Sequence, residues 1–297
     1  MWNLLQIELF KIFKRPRTYI AFVAITVIVL LIQLVVKFDG KNFLDLFTKS
    51  IDESFEFDKS GTLNGYLVCY FILNTLLVQV PILVALIAGD TIAGEANMGT
   101  LRLLISKPIG RTRLLLTKFA ACAIYTFVLL CWMALLALVG SILLFGVNDL
   151  MVSRVINDQL VTLLITSDDI LWRYMAAFSV AAVALITVAS LAFLFSIFAE
   201  NAVGPIVASV SVVIVFTILS NLNIPLIDHS IKPWLFTSHM VAWKGFFYIN
   251  FTDDGETIKG SLQNWPAIRN SLLILVANIF VFITIGILVF RKKDILS

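Results

Sequence analysis

Charge is the scarcest feature of this chain: Asp, Glu, Lys and Arg make up 14% of its 297 residues, against 60% that are hydrophobic. A soluble domain carries roughly a quarter of its residues charged, so this scarcity excludes a surface wet on all sides. No GxxxxGK[ST] run occurs, which excludes ATP hydrolysis by a phosphate loop of this chain's own. Histidine is nearly absent too. His229 and His239 lack nearby cysteine and HExxH spacing, so no metal site is expected. The three cysteines, Cys69, Cys122 and Cys131, lie inside apolar runs, which excludes an extracellular disulfide framework and leaves them as small packing residues.

What is present in their place is a set of long uncharged runs. Thr18–Val36, Ser60–Gly89, Phe119–Asn148, Tyr174–Ala199, Asn201–Ile227 and Asn270–Phe290 each hold about 18 residues or more without a charge. Roughly 20 helical residues cross a hydrocarbon core of about 30 Å. The reading is an all-α polytopic membrane protein, one transmembrane domain over 1–297, with six transmembrane helices near 18–36, 63–89, 114–146, 172–199, 202–223 and 270–290. Glu200, Asn201, Gly204 and Pro205 divide the fourth run from the fifth as a tight helical hairpin. No small-residue cleavage pattern follows the first run, so that run is expected to stay as an anchor.

Lysine and arginine settle the expected orientation. The N-terminus, the 90–118 segment, the Glu200 turn and the C-terminus carry twelve basic and five acidic residues, net +7, which leaves net −4 on the other side and recovers the total of +3. The positive side is assigned to the cytoplasm, with both termini inside. Residues 2–17 read as an interfacial helix: Glu8, Lys11 and Arg15 share one face, while Leu5, Leu9, Ile12 and Phe13 lie largely opposite, toward the membrane plane. Outside, Phe38–Lys59 is an acidic solvated loop, and Val147–Arg173 is expected to hold a helix over Arg154–Leu164. The 228–269 segment is crowded with Trp234, Phe236, Trp243, Phe246, Phe247, Tyr248, Phe251 and Trp265, and is expected to rest in the outer interface.

Within the spans, amides and hydroxyls such as Gln33, Ser141 and Thr187 read as hydrogen-bonding glue between helices. Asn74, Gln79 and Pro81 cluster in the second span and are the candidate wall of a translocation path. Gly89-Asp90 resembles part of an intramembrane aspartyl protease motif, but the second membrane aspartate such chemistry needs is missing. No intramembrane acid–base pair exists to relay protons. The chain is therefore read as non-catalytic.

One charged island, Gly89–Lys118, separates the second and third runs. Gly99 and Pro108 punctuate it, Glu95 precedes Arg102 by seven residues, and Leu101, Leu103, Leu104 and Ile105 add apolar area that calls for a partner. The run Gly94-Glu95, Gly99-Thr100-Leu101, Leu103-Leu104, Lys107-Pro108, Arg111 and Lys118, set between the second and third of six spans, resembles the ABC-2 family of ABC transporter permeases. The resemblance extends from the basic N-terminal segment to the closing Phe290-Arg291-Lys292-Lys293-Asp294-Ile295. It implies the type V-like exporter architecture in the cytoplasmic (inner) membrane, with a second permease copy or paralogue and separate cytoplasmic ATPase subunits that bind the ATP and Mg. No cofactor is implied in this chain itself, and no nucleic-acid partner. By that similarity 90–113 is a coupling loop, with Glu95, Gly99, Thr100, Leu101, Arg102, Leu104, Pro108 and Arg111 forming the ATPase contact and Glu200 and Asn201 a smaller second one. The alternative is a membrane anchor or mechanotransmitter that acts on an extracytoplasmic protein through the outer segments. Uncharged walls suit a lipid-like, hydrophobic or peptide cargo, and the cargo itself is not specified.

Overall fold

The computed structural model describes residues 2–50, 64–105, 109–156, 159–222, 232–247, 250–251, 257–258 and 262–293. Helix α1 (Trp2–Lys14) is followed after Arg15 by α2 (Pro16–Ser50), which leaves helical geometry at Asp39; then come α3 (Gly65–Asn97), α4 (Thr100–Ile105) and α5 (Arg111–Phe145). Beyond them lie α6 (Ser167–Phe198), α7 (Val203–Asn221), the short α8 (Phe236–Met240) and α9 (Trp265–Lys292). Six helices are long and apolar enough to cross a membrane: Pro16–Gly40, Gly65–Asn97, Arg111–Phe145, Ser167–Phe198, Val203–Asn221 and Trp265–Lys292.

Burial ranks these helices. In its most apolar window α6 is 83% buried and α3 61%, whereas α9 is only 11% buried. The α6–α3 pair is therefore the axis of the bundle, and α2, α5, α7 and α9 present broad apolar faces outward. Small residues make the axis possible: Ala177, Ala181, Ala184, Ala189 and Ala192 are fully enclosed in α6 and let neighbouring backbones approach. Several hydroxyls in the spans bond back along their own helices, Thr126 to the Cys122 carbonyl at 2.9 Å and Thr217 to the Val213 carbonyl at 2.7 Å, while Ser196 Oγ of α6 accepts from the Ile92 and Ala93 amides of α3 at 3.0 and 2.9 Å. Gln33, 1% exposed, instead crosses from α2 to α5, its Nε2 donating to the Leu136 carbonyl at 3.0 Å and to Ser141 Oγ at 3.1 Å.

Beyond α2, which past its Asp39 kink stays helical to Ser50 where a loop from Phe38 is expected, two further segments depart from expectation. Where a helix is expected over Arg154–Leu164, strand β1 (Leu150–Ile156) pairs antiparallel with β2 (Gln159–Ile165), from Leu150 opposite Ile165 to Ile156 opposite Gln159. Val152, Val155, Ile156, Val161, Thr162 and Ile165 are β-branched, and that stiffness at χ1 fits a pleated ribbon better than a helix. A second, minimal hairpin joins β3 (Asn250–Phe251) to β4 (Thr257–Ile258).

The aromatic segment is the other departure. Its described part runs through three 3₁₀ turns, α8 and the β3–β4 hairpin, and its rings turn inward, with Phe236, Trp243, Phe246 and Phe247 all at 1–2% exposure. Trp243 and Phe247 sit 5.4 and 5.6 Å from the Tyr70 ring, and Phe247 is 5.0 Å from Tyr174. These rings find tyrosines at the ends of α3 and α6, which bury more aromatic area than a headgroup layer would. Trp234 and Trp265 remain exposed, while His229 and Tyr248 fall outside the described residues.

Candidate functional site

The end of the bundle opposite these hairpins gathers a network of buried ion pairs, and helix α3 sets its geometry. α3 does not stop at the edge of the apolar run but continues to Asn97, so Asp90 and Glu95 stand on its last turns rather than in a loop. Asp90 and Glu95 are each 3% exposed. Lys118 stands about two turns inside α5, 0% exposed, and Glu8 on α1 is 3% exposed.

Glu8, Glu95 and Lys118 close a ring of alternating charge with Lys11. Lys118 Nζ lies 2.8 Å from Glu8 Oε2 and 2.7 Å from Glu95 Oε2, and Lys11 Nζ lies 2.8 Å from Glu8 Oε1 and 3.1 Å from Glu95 Oε1. Each carboxylate is thus held at both oxygens by two ammonium groups, and three helices are tied at one point. One helical turn along α3, Asp90 receives Arg15 at 2.5 Å and Arg17 at 2.7 Å. The Arg17–Asp90 and Lys118–Glu95 contacts lack the direction of a hydrogen bond, so they act as charge contacts. A cleft of about 20 Å³ beside Glu8, Arg15, Arg17, Asp90 and Glu95 has room for one water.

Burial opposes the charged form of Glu8, yet Lys118 and Lys11 outweigh it and hold the carboxyl below its usual range. Lys11 mirrors this: burial works against its charge, and Glu8 and Glu95 carry it above the ordinary lysine value. The ring is chemically a clamp. It holds all four charges in place, with Lys11 keeping 32% of its side chain exposed.

The charged face of α1 consequently points into the protein. Glu8 is buried on that face, Leu5, Leu9, Ile12 and Phe13 also pack against the core, and Trp2, Ile7 and Phe10 are exposed, so both faces named from the sequence meet the protein. The reason is that burying a charged face against counter-charges satisfies it, whereas a face with no partner would have to stay in water.

Glu95, read from the sequence as a docking contact, is enclosed in this clamp. The exposed part of the island starts just beyond it. Gly99 takes a positive φ of 70°, where a Cβ would be strained, and turns the chain between α3 and α4. Thr100 is exposed, its hydroxyl donating to the Glu95 carbonyl at 3.2 Å, while Leu101 is 3% exposed and Leu104 half-buried. The side chain of Arg102 and all of Pro108 lie outside the described residues. Arg111 donates to the carbonyls of Arg291 at 3.1 Å and Lys293 at 2.8 Å, and Lys293 Nζ donates to the Ile197 carbonyl at 2.8 Å, which brings the end of the chain to the same end of the bundle. Glu200 and Asn201 are exposed at the α6–α7 turn, with Asn201 Oδ1 accepting from the Val203 amide at 3.0 Å. In α3, Asn74 and Gln79 are half-buried and Pro81 buried, with Gln79 Oε1 lacking a hydrogen bond.

Glu8, Lys11, Arg15, Arg17, Asp90 and Lys118 are the functional residues that the sequence reading did not join to Glu95. A signal existed in the i, i+3 pair of Glu8 and Lys11 and in a lysine set directly against an uncharged run, but their partners lie 84 and 110 residues away.

The fold and this clamp define a multi-pass membrane protein of six apolar helices whose N-terminal helix is bolted by ion pairs to two of them. Residues 26–296 match the family described as "Protein of unknown function (DUF2705)", and the chain belongs to that family. No curated protein matches the chain.

Proposed function

We propose that this chain is the permease subunit of an ATP-driven ABC transporter of ABC-2 type, an exporter in the cytoplasmic (inner) membrane that works with a second copy or paralogue and with separate ATPase subunits. The observation that carries the reading is the clamp beside the island. Force applied to the exposed Gly99–Thr100 turn enters α3 within a helical turn of Glu95, and the ring passes it at once to α1 and α5. Packed helices joined by close ion pairs move as one body, so a small displacement of the turn becomes displacement of whole spans. The free energy comes from the partner ATPase, and this chain converts it to motion.

In this reading the docking contact moves from Glu95 to Thr100, α4 and Arg111, while Glu200 and Asn201 keep their exposed place on the neighbouring turn. The mechanotransmitter alternative takes the aromatic 228–269 stretch and the acidic Phe38–Lys59 loop as protein-binding surfaces. Trp243, Phe246 and Phe247 are spent on the protein's own core, and that favours transport.

The test is purification of the full-length chain from its native membrane in nanodiscs, with ATP hydrolysis measured in the eluate and Thr100→Cys used for cross-linking. Co-eluting hydrolysis and a nucleotide-dependent cross-link from Thr100→Cys to the hydrolysing subunit are expected. A chain that elutes without hydrolysis and gives no cross-link in either nucleotide state overturns the proposal.

A further inference from the structure

At the outer end of the bundle a guanidinium is buried for no reason that the clamp or the spans require. Arg173, one turn into α6, is 7% exposed, and its Nη1 donates to the carbonyl of Phe246 at 2.8 Å. That carbonyl belongs to the aromatic segment itself, next to Trp243 and Phe247, which lie on Tyr70 and Tyr174. Asp169, four residues earlier on the same helix, holds the other side of the guanidinium, with Nε at 3.1 Å and Nη2 at 2.5 Å from Oδ2. Trp172 supplies a ring 5.2 Å from the guanidinium carbon and donates its indole N–H to Asp169. The arginine is thus fixed by Asp169 and Trp172 on its own helix end and also donates to the backbone of a separate segment.

Neutral hydrogen bonds among the described residues also hold that segment: Asn264 to the Gly245 carbonyl at 2.9 Å, Ser220 with Thr237 at 2.8 Å, and His239 with Ser271 at 3.1 Å. A charge-assisted bond from a desolvated guanidinium is stronger than these. We infer that Arg173 is a latch that holds the Ala242–Phe247 segment as an aromatic plug over the outer ends of α3 and α6, and that release of the Phe246 carbonyl opens that end of the bundle. The inference deepens the transport reading by placing its outlet control, and Arg173 serves as a positioning residue for the plug. Asp169, 44% exposed at its side chain, sets the strength of the latch from the solvent side.

A native reporter lies close to Tyr174, one of the plug's ring contacts. Cys69 precedes Tyr70 in α3 and has no exposed surface. In a chain carrying Cys122→Ala and Cys131→Ala, the rate at which a membrane-impermeant maleimide labels Cys69 reads plug opening directly. In sealed cells the parent should be protected, and Arg173→Gln should raise the rate about tenfold or more, the factor expected for loss of a hydrogen bond to a charged group. Asp169→Asn should give a smaller rise, and Arg173→Lys, which keeps the charge without the fork, an intermediate one. Trp243→Ala provides the control for an unpacked plug. If Trp243→Ala exposes Cys69 and Arg173→Gln leaves it protected in both sealed cells and inverted vesicles, packing alone holds the segment and the latch is overturned. Labelling only in inverted vesicles would keep the latch and overturn the orientation in the transport reading. Each variant is scored only after it elutes as a monodisperse peak, and if Arg173→Gln fails to do so, Arg173→Lys decides.

Discussion

Lys118 is an ammonium group without exposed surface, held between two carboxylates from different helices. Its side chain could be replaced by an apolar one of similar length with little loss of volume, but Glu8 and Glu95 would then share only Lys11. Breaking a buried ion pair on one side costs about 3–5 kcal/mol, because the remaining charge keeps its desolvation penalty. Lys118→Met should therefore lower the thermal unfolding midpoint of the detergent-purified protein sharply. The triple variant Glu8→Gln, Glu95→Gln, Lys118→Met, which leaves no uncompensated carboxylate, should recover much of that loss. Equal midpoints for Lys118→Met and the parent would show that the ring carries no structural weight. At this scale the sequence disclosed the types of residue and not their company. Glu95 stands out in the island, but nothing within a helical repeat of it announces Lys11 or Lys118, since the ring closes only when α1 folds back on α3 and α5.

Helix α1 depends on those same charges for its position, and its attachment should respond to pH with a definite sign. Glu8 titrates below its unfolded value, so its contribution is complete above pH ~4.5 and is lost as pH falls through the lower folded value. Lys11 titrates above its unfolded value, so its contribution is complete below pH ~10.5 and is lost as pH rises through the higher folded value. The helix should stay clamped throughout the neutral range and release at both extremes, the acid side through Glu8. A fluorophore on Asn3→Cys, exposed at the start of α1, should report constant anisotropy from about pH 6 to pH 9 and a drop below about pH 4.5 that Glu8→Gln abolishes. An unchanged acid transition in Glu8→Gln would assign it to another group. Elements with one strong local period were legible: the uncharged runs correspond to six long apolar helices because length and composition alone decide them. The β1–β2 hairpin was not, since a short apolar stretch around Arg154 fits either period and only its pairing partner, Gln159–Ile165, resolves the choice. The inward turn of Trp243 and Phe247 was likewise hidden, because an aromatic cluster reads the same whether it meets lipid headgroups or tyrosines on a neighbouring helix.

For the molecule as a whole, helix length and charge together bound its place in a membrane. α3 has 33 residues, which at about 1.5 Å each exceed a hydrocarbon core of about 30 Å by some dozen residues. The excess has to emerge, and the ion pairs say where. Asp90 and Glu95 with Lys11, Arg15, Arg17 and Lys118 lie at one end of the bundle, and Asp169 with Arg173 lies at the other. Lysine and arginine gather at the first end, where Arg111, Arg291, Lys292 and Lys293 add to the clamp's own cations. A potential that retains basic flanks on the cytoplasmic side would place that end inside and the aromatic plug outside. Two exposed positions separate the cases, Thr100 beyond α3 and Val241 beside the plug. In a chain cleared of its native cysteines, Val241→Cys should react with an impermeant thiol reagent in intact cells, and Thr100→Cys only after permeabilisation. The reverse pattern would put the island outside, beyond the reach of any cytoplasmic ATPase, and the transport reading would fall while the clamp and the Arg173 latch stood. Labelling of both positions from outside would deny an odd number of crossings between them, which is what α5, α6 and α7 supply if each spans the bilayer once.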